Sequence, residues 1–158
     1  MTQLNSICYE FGKLDYVKAM TDVTGFGLLG HLIEMCEGSN LSAEIDYSKI
    51  PLMKNISHYA TKMIYPDITF RNWSSYSSKV DLAPLSSRRG AGGEAESILT
   101  LCDPQTSGGV LAAVDSSYEN EFIAQSKRLG YELKNFGFLI DELVHYHKKS
   151  RDEFEAVK

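Results

Sequence analysis

The chain has 158 residues, of which 43% are apolar and 11% aromatic, enough for one soluble domain with an ordinary core. A net charge of −5 argues against general affinity for nucleic acid or other polyanions, and leaves open a nucleotide bound together with a metal ion. No apolar run reaches bilayer length, Met1 to Asn5 lack the basic start and apolar core of a signal peptide, and Cys8, Cys36 and Cys102 are odd in number and far apart. Neither a membrane span, nor a disulfide framework, nor a zinc site is expected, and the reduced cytoplasm is the expected compartment.

Leu4, Ile7, Cys8 and Phe11 recur at helical spacing before Gly12, which predicts the last turns of a helix. A chain that opens inside such a pattern is expected to have something before it in a parent protein. Tyr16 to Val23 reads as a strand, and Thr24 is placed to cap a helix that Gly38 closes. On that helix Phe26, Leu29, Leu32, Ile33 and Cys36 share the apolar side, while His31, Glu34 and Glu37 are expected on the solvated one. Leu41, Ala43 and Ile45 then alternate with Ser42, Glu44 and Asp46 as in a half-buried strand.

Lys54 to Ile64 predicts a short helix, whereas Pro66 to Leu85 is polar, aromatic and serine-rich and reads as ordered loop. Arg88 to Gly93 predicts a mobile surface loop, followed by a brief helix over Glu94 to Leu101. After the turn Cys102-Asp103-Pro104-Gln105-Thr106-Ser107-Gly108-Gly109, Val110 to Val114 reads as an apolar strand. Tyr118 to Leu129 reads as a helix closed by Gly130, Tyr131 to Ile140 as another strand, and His145 to Lys158 as a charged tail. The strand–helix–strand unit thus occurs twice, and the expected class is α+β: a mixed sheet with packed helices, its crossovers right-handed wherever neighbouring strands run parallel.

The densest chemistry lies in Ala19-Met20-Thr21-Asp22-Val23-Thr24-Gly25-Phe26-Gly27-Leu28-Leu29-Gly30-His31-Leu32. Gly25, Gly27 and Gly30 match the dinucleotide pattern G-x-G-x-x-G, with Asp46 near the end of the next strand. In that pattern the pyrophosphate rests on the glycine turn, where Asp22 would repel it unless a cation lies between, so the motif fits a metal-bridged phosphate better than a dinucleotide. A helix N-terminus with unpaired N–H groups suits the phosphate side. Read alone, Asp22 is a helix-end aspartate, worth about 0.5–2 kcal/mol as a cap or dipole partner. Asp103-Pro104 alone is a turn opener, but Gln105, Thr106 and Ser107 add three polar groups that are expected to line one polar cleft with the glycine turn. Cys36 and Cys102 are expected in the core, His145 and His147 have no partners at ligand spacing, and the glycines at 90, 92 and 93 lack the Lys-Ser/Thr of a P-loop.

The Ala19 to Leu32 string, then Arg71-Asn72, then Leu101 to Gly109 together resemble the C-terminal half of the selenophosphate synthetase (selenide, water dikinase) family, from about residue 4 to about residue 144. The wider superfamily, with aminoimidazole ribonucleotide synthetase, a hydrogenase maturation protein and thiamine-phosphate kinase, usually varies these strings. The resemblance implies an α/β/α-layered C-terminal domain over residues 1–146 with a charged tail over 147–158. It also implies a parent enzyme, cytoplasmic and homodimeric, that converts ATP, selenide and water to selenophosphate, AMP and phosphate for selenocysteine biosynthesis. In the family the glycine-rich segment with the catalytic cysteine or selenocysteine and lysine, and most ATP and magnesium contacts, lie in an N-terminal domain, so this chain alone is expected to be inactive. Carried over by residue, Asp22 is the implied magnesium ligand, and no cysteine here matches a catalytic position. Thr24, Gly25, Phe26 and Gly27 are expected on the phosphate side of ATP, and Asp103, Gln105, Thr106, Ser107 and Gly108 along the opposite wall. Two alternatives stand beside this reading: a related ATP-dependent synthetase or kinase with another acceptor, and a freestanding non-catalytic module that binds a nucleotide, anion or partner protein.

Overall fold

The computed structural model describes residues 4–81 and 91–141. Its elements run α1 (Ile7–Phe11), β1 (Val17–Asp22), α2 (Gly27–Ser39), β2 (Ser42–Ile45), α3 (Ile56–Ala60), α4 (Asp67–Tyr76), α5 (Ala91–Leu101), β3 (Val110–Val114), α6 (Glu119–Arg128) and β4 (Gly137–Ile140). Helix α2 is the hub, because it carries apolar side chains on two faces. Leu32 and Cys36, with Leu28 and Met35 beside them, pack on Val23 and Leu111 from the first strand pair and on Ala43, Phe136 and Leu139 around the second. Leu29 and Ile33 turn the other way, toward Trp73 and Tyr76 of α4 and Ile98, Leu101 and Cys102 at the end of α5. At about 25 cal/mol per Å², burial on both faces is the main force holding α2 against strands and helices together.

The α+β class expected from the sequence is what forms. Among the described residues both ladders are antiparallel, with no parallel neighbours. β1 pairs with β3 (Met20 opposite Ala112, Asp22 opposite Val110), and β2 pairs with β4 (Ser42 opposite Ile140, Ile45 opposite Gly137). The two strand–helix–strand units therefore pair first strand with first strand and second with second, so no unit needs a crossover back into its own ladder. Opposite residues share a face, which sends Thr21 and Leu111 toward α2 and Met20 toward Gly12 at the end of α1. On that second side α1 meets α6 through Phe11 and Phe122, ring centres 4.7 Å apart, giving helices on both faces of the β1–β3 pair.

Several boundaries differ from the sequence reading. Gly38 lies within α2, and Asn40 closes the helix in the left-handed conformation (φ 54°), where the Leu41 N–H reaches the Cys36 carbonyl. Thr24 makes no capping bond, since its hydroxyl is turned to His31. The expected loop after Pro66 is instead α4, which Pro66 opens in an extended conformation (ψ 145°) and Asp67 favours electrostatically at its first turn. Its buried positions are Thr69, Asn72 and Tyr76, polar groups at helical spacing in place of an aliphatic stripe. The last strand is only Gly137–Ile140, while Gly130 (φ 88°) closes α6 as expected. The proposed mobile loop lies partly outside the described residues, Ala91 to Gly93 belonging to α5, and the charged tail lies wholly outside them. Among the described residues no helix is long and apolar enough to cross a membrane.

Candidate functional site

The two sequence motifs meet back to back. Val23 N–H donates to the Gly109 carbonyl (3.0 Å), Gly108 N–H to the Val23 carbonyl (3.1 Å) and Gln105 N–H to the Thr24 carbonyl (2.9 Å). The 103–109 turn thereby continues the β1–β3 ladder beyond Asp22 and Val110. Gly27 makes this approach possible: φ is +71°, and a Cβ there would lie 2.6 Å from the Leu101 carbonyl oxygen and 2.8 Å from the Cys102 carbonyl carbon. A side chain at 27 would force the motifs apart. The carbonyl end of α5 thus abuts the N-terminal turn of α2, a favourable meeting of opposite dipole ends.

Helix α4 ties the pair together from behind. The buried Asn72 amide donates both its protons across the junction, one to the Gly25 carbonyl (2.8 Å) and one to the Cys102 carbonyl (2.9 Å). One turn on, the Tyr76 hydroxyl donates to the Phe26 carbonyl (3.0 Å), and one turn back the Thr69 hydroxyl reaches Asp103 Oδ1 (3.4 Å). Burial pushes the Tyr76 phenol up, with the neighbouring Cys102 thiol adding to the effect, and burial likewise raises Cys102. Both stay neutral, which suits a structural joint and not a nucleophile. Of the α4 side chains that make these bonds, only Asn72 stood in the quoted motifs. Thr69 and Tyr76 were missed, and the signal that finds them is their spacing of three and four around Asn72 on a segment opened by Pro66.

The Asp103 carboxylate is half-buried and fully engaged, Oδ1 with Thr69 and Oδ2 with the Gln105 amide (2.9 Å). Burial raises its pKa, and the Thr69 and Gln105 hydrogen bonds partly offset that. Asp103 and Gln105 therefore brace the turn, while Thr106, Ser107 and Gly108 are exposed on its outside, Ser107 at φ 52°. On the facing motif Asp22, Gly25 and Phe26 are exposed, and Gly27 is buried. The Gly27 N–H returns to the Thr24 carbonyl (3.1 Å), whereas the Gly25 and Phe26 N–H groups have no backbone acceptor among the described residues. The structure thus joins Asp22, Thr24 to Gly27 and Asp103 to Gly108 into one continuous surface.

The Asp22 carboxylate stands at the end of β1 with no partner among the described residues. No three His, Cys, Asp or Glu side chains gather around it or elsewhere among them. A single carboxylate is a hard-oxygen donor of the kind magnesium takes, though too few ligands for a site by itself. His31, expected on the solvated side, is buried between Thr24 and Glu34. With Thr21, Met20 and Met35 it lines a depression of about 300 Å³ between β1 and α2.

The dinucleotide alternative finds no support in these contacts. Gly27 makes its close approach to protein backbone where a pyrophosphate would need it, and Gly30 faces Phe26 and the Tyr76 ring. Asp46 accepts from the Ser48 N–H (3.0 Å) and hydroxyl (2.7 Å), bonds that hold its pKa low and close a local turn.

Comparison with known proteins finds relatives over most of the chain. The selenide, water dikinase of Pseudomonas putida is 43% identical over 145 residues, covering 92% of this chain and 39% of the relative. That of Bordetella bronchiseptica is 46% identical over 140 residues (89% and 38%), and that of Pseudomonas aeruginosa 45% over 141 (89% and 38%). The chain therefore spans less than two-fifths of the length of these relatives. Residues 1–143 match the family described as AIR synthase related protein, C-terminal domain, which includes both motifs and the α4 clamp, and the chain belongs to that family.

Proposed function

We propose that this chain is the C-terminal domain of a selenophosphate synthetase, and that its Asp22 to Gly27 turn is one side of a magnesium–ATP site completed by a catalytic N-terminal domain of the same protein. The observation that carries this is the exposed Asp22, whose carboxylate has no partner among the described residues, a few positions before the exposed Gly25 and Phe26, whose N–H groups have no backbone acceptor among them. A phosphate chain with its cation needs both kinds of group at close quarters, because the N–H dipoles attract phosphate oxygens while the carboxylate needs a cation between itself and them.

Magnesium, when bound, neutralises phosphate oxygens and keeps the reacting groups in line. Asp22 would hold that ion from the C-terminal side, and Gly25 and Phe26 would orient phosphate through their N–H groups. The Asp103 to Gly108 turn is the outer wall, with Asp103 and Gln105 setting its shape and Thr106, Ser107 and Gly108 facing the ligand. In this reading the nucleophile acting on selenide and the lysine beside it come from the other domain, and the enzyme works in the cytoplasm. Support comes from relatives named selenide, water dikinase at 43–46% identity and from the main-chain hydrogen bonds that join the two motifs.

The test is Asp22→Asn in the full-length protein, with selenophosphate followed by 31P NMR across a magnesium titration. A fall of about 100-fold or more in turnover, partly recovered at high magnesium, is expected for loss of a ligand in a metal-clamped phosphoryl transfer. Unchanged turnover and magnesium dependence would remove Asp22 from the site. Calorimetry of residues 1–158 with magnesium–ATP should show negligible binding, since tight stoichiometric binding would make the chain a self-sufficient module.

A further inference from the structure

Thr24, His31 and Glu34 form a hydrogen-bonded row that the phosphate reading leaves unused. Glu34 Oε2 lies 3.1 Å from His31 Nδ1, and His31 Nε2 lies 3.1 Å from Thr24 Oγ1. The His31 side chain is 9% exposed and that of Glu34 61%, so the row runs from solvent through a buried imidazole to the motif turn. It ends two residues beyond Asp22, on the other side of buried Val23.

For a neutral imidazole the direction of each proton follows from what the groups can do. A carboxylate only accepts, so the proton between Glu34 and His31 sits on Nδ1. A neutral imidazole protonated there has a lone pair at Nε2, and the Thr24 hydroxyl donates to it. With its proton directed inward, Thr24 Oγ1 presents only lone pairs to the ligand side. It cannot then donate to a phosphate oxygen, but it can accept from a water polarised by a cation.

We infer that His31 and Glu34 are positioning residues that fix Thr24 as an outward hydrogen-bond acceptor, matched to a water carried by a divalent cation at Asp22. The identity of that donor rests on the metal reading given above, whereas the proton arrangement stands on the row alone. The motif turn is thereby divided: Asp22 and Thr24 serve the cation, and the Gly25 and Phe26 N–H groups serve the anion. Partners behind the ligand oxygens commonly orient metal sites in this manner.

The first measurement is 15N NMR of this chain with labelled histidines near neutral pH, His31 being assigned by the signal lost in His31→Gln. A protonated Nδ1 and a bare Nε2 are expected, and a proton on Nε2 or on both nitrogens would overturn the inference. The second uses Mn2+ alone as the probe, its binding to the full-length protein read by electron paramagnetic resonance. Thr24→Val should weaken binding about tenfold and Thr24→Ser by less than about twofold, as for loss and retention of an orienting partner. Glu34→Ala, a change at an exposed side chain that leaves the core untouched, should spread the imidazole proton over both nitrogens. Wild-type Mn2+ affinity in Thr24→Val, or an unaltered His31 signal in Glu34→Ala, would overturn the inference. A full-length protein that forms no selenophosphate refutes the functional reading and leaves the proton arrangement standing. An active one with His31 protonated on Nε2 refutes only the positioning role.

Discussion

Asn72 offers the sharpest test of how the two motifs are held, because one amide group serves two carbonyls from segments far apart in the chain. Asn72→Ala removes the donors to Gly25 and to Cys102 together. The Cys102 residue is fully buried, so its carbonyl is left unsatisfied at a cost of about 1–3 kcal/mol. Gly25 is exposed and water can replace the lost donor, which limits that part to about 1 kcal/mol. The sum is about 2–4 kcal/mol, and at about 2–4 °C per kcal/mol for a chain of this size the midpoint of thermal unfolding should fall by roughly 4–16 °C. Asn72→Asp is the more telling variant, since it keeps the volume and sets a carboxylate oxygen against two carbonyl oxygens in a buried place. It should destabilise more than alanine does, despite being the smaller change in shape. Urea unfolding followed by tryptophan fluorescence, with Trp73 as the single reporter, measures both. An alanine variant within about 0.5 kcal/mol of wild type, or an aspartate variant as stable as the alanine one, would refute the clamp.

The glycines of the motif should separate cleanly. Gly27→Ala combines a left-handed backbone with a Cβ 2.6 Å from a carbonyl oxygen, and should cost about 2–5 kcal/mol by urea unfolding, whereas Gly25→Ala has open space and should stay within about 0.5 kcal/mol. Equal effects would contradict the close approach of Leu101 to Asp103. Asp103 gives a pH signature: its pKa is raised by burial, so its contribution is fully present below the unfolded value near 3.9 and is lost as pH rises through the folded value. The stability of Asp103→Asn relative to wild type should therefore climb from about pH 4 upward, and a difference that does not vary with pH would remove the burial argument. With Asp22→Asn in the full-length protein, these variants separate groups that hold the two motifs together from the one proposed to bind the cation.

The sequence by itself determined the local elements whose cues are short in range. The alternation at Leu41 to Ile45, the apolar run at Val110 to Val114 and the Gly130 stop each depend on a few neighbouring residues, and each stands where the pattern put it. The same holds for the two motifs, since Asp22 and the spaced glycines announce a special turn without any knowledge of the fold. It failed at α4 because that helix buries Thr69, Asn72 and Tyr76, and a polar stripe reads as loop until its acceptors are known. His31 was misplaced for a related reason: an imidazole is solvated by default, and only Thr24 on one side and Glu34 on the other make its burial favourable. Tertiary structure alone decided that first strand pairs with first strand and that the motifs, some 80 residues apart, share main-chain hydrogen bonds. It also decided the use of Gly27, whose missing side chain makes room for protein backbone where a dinucleotide motif makes room for pyrophosphate. Pairing and close approach depend on which surfaces meet when the apolar faces of α2 are buried, a property of the whole chain that no local window contains.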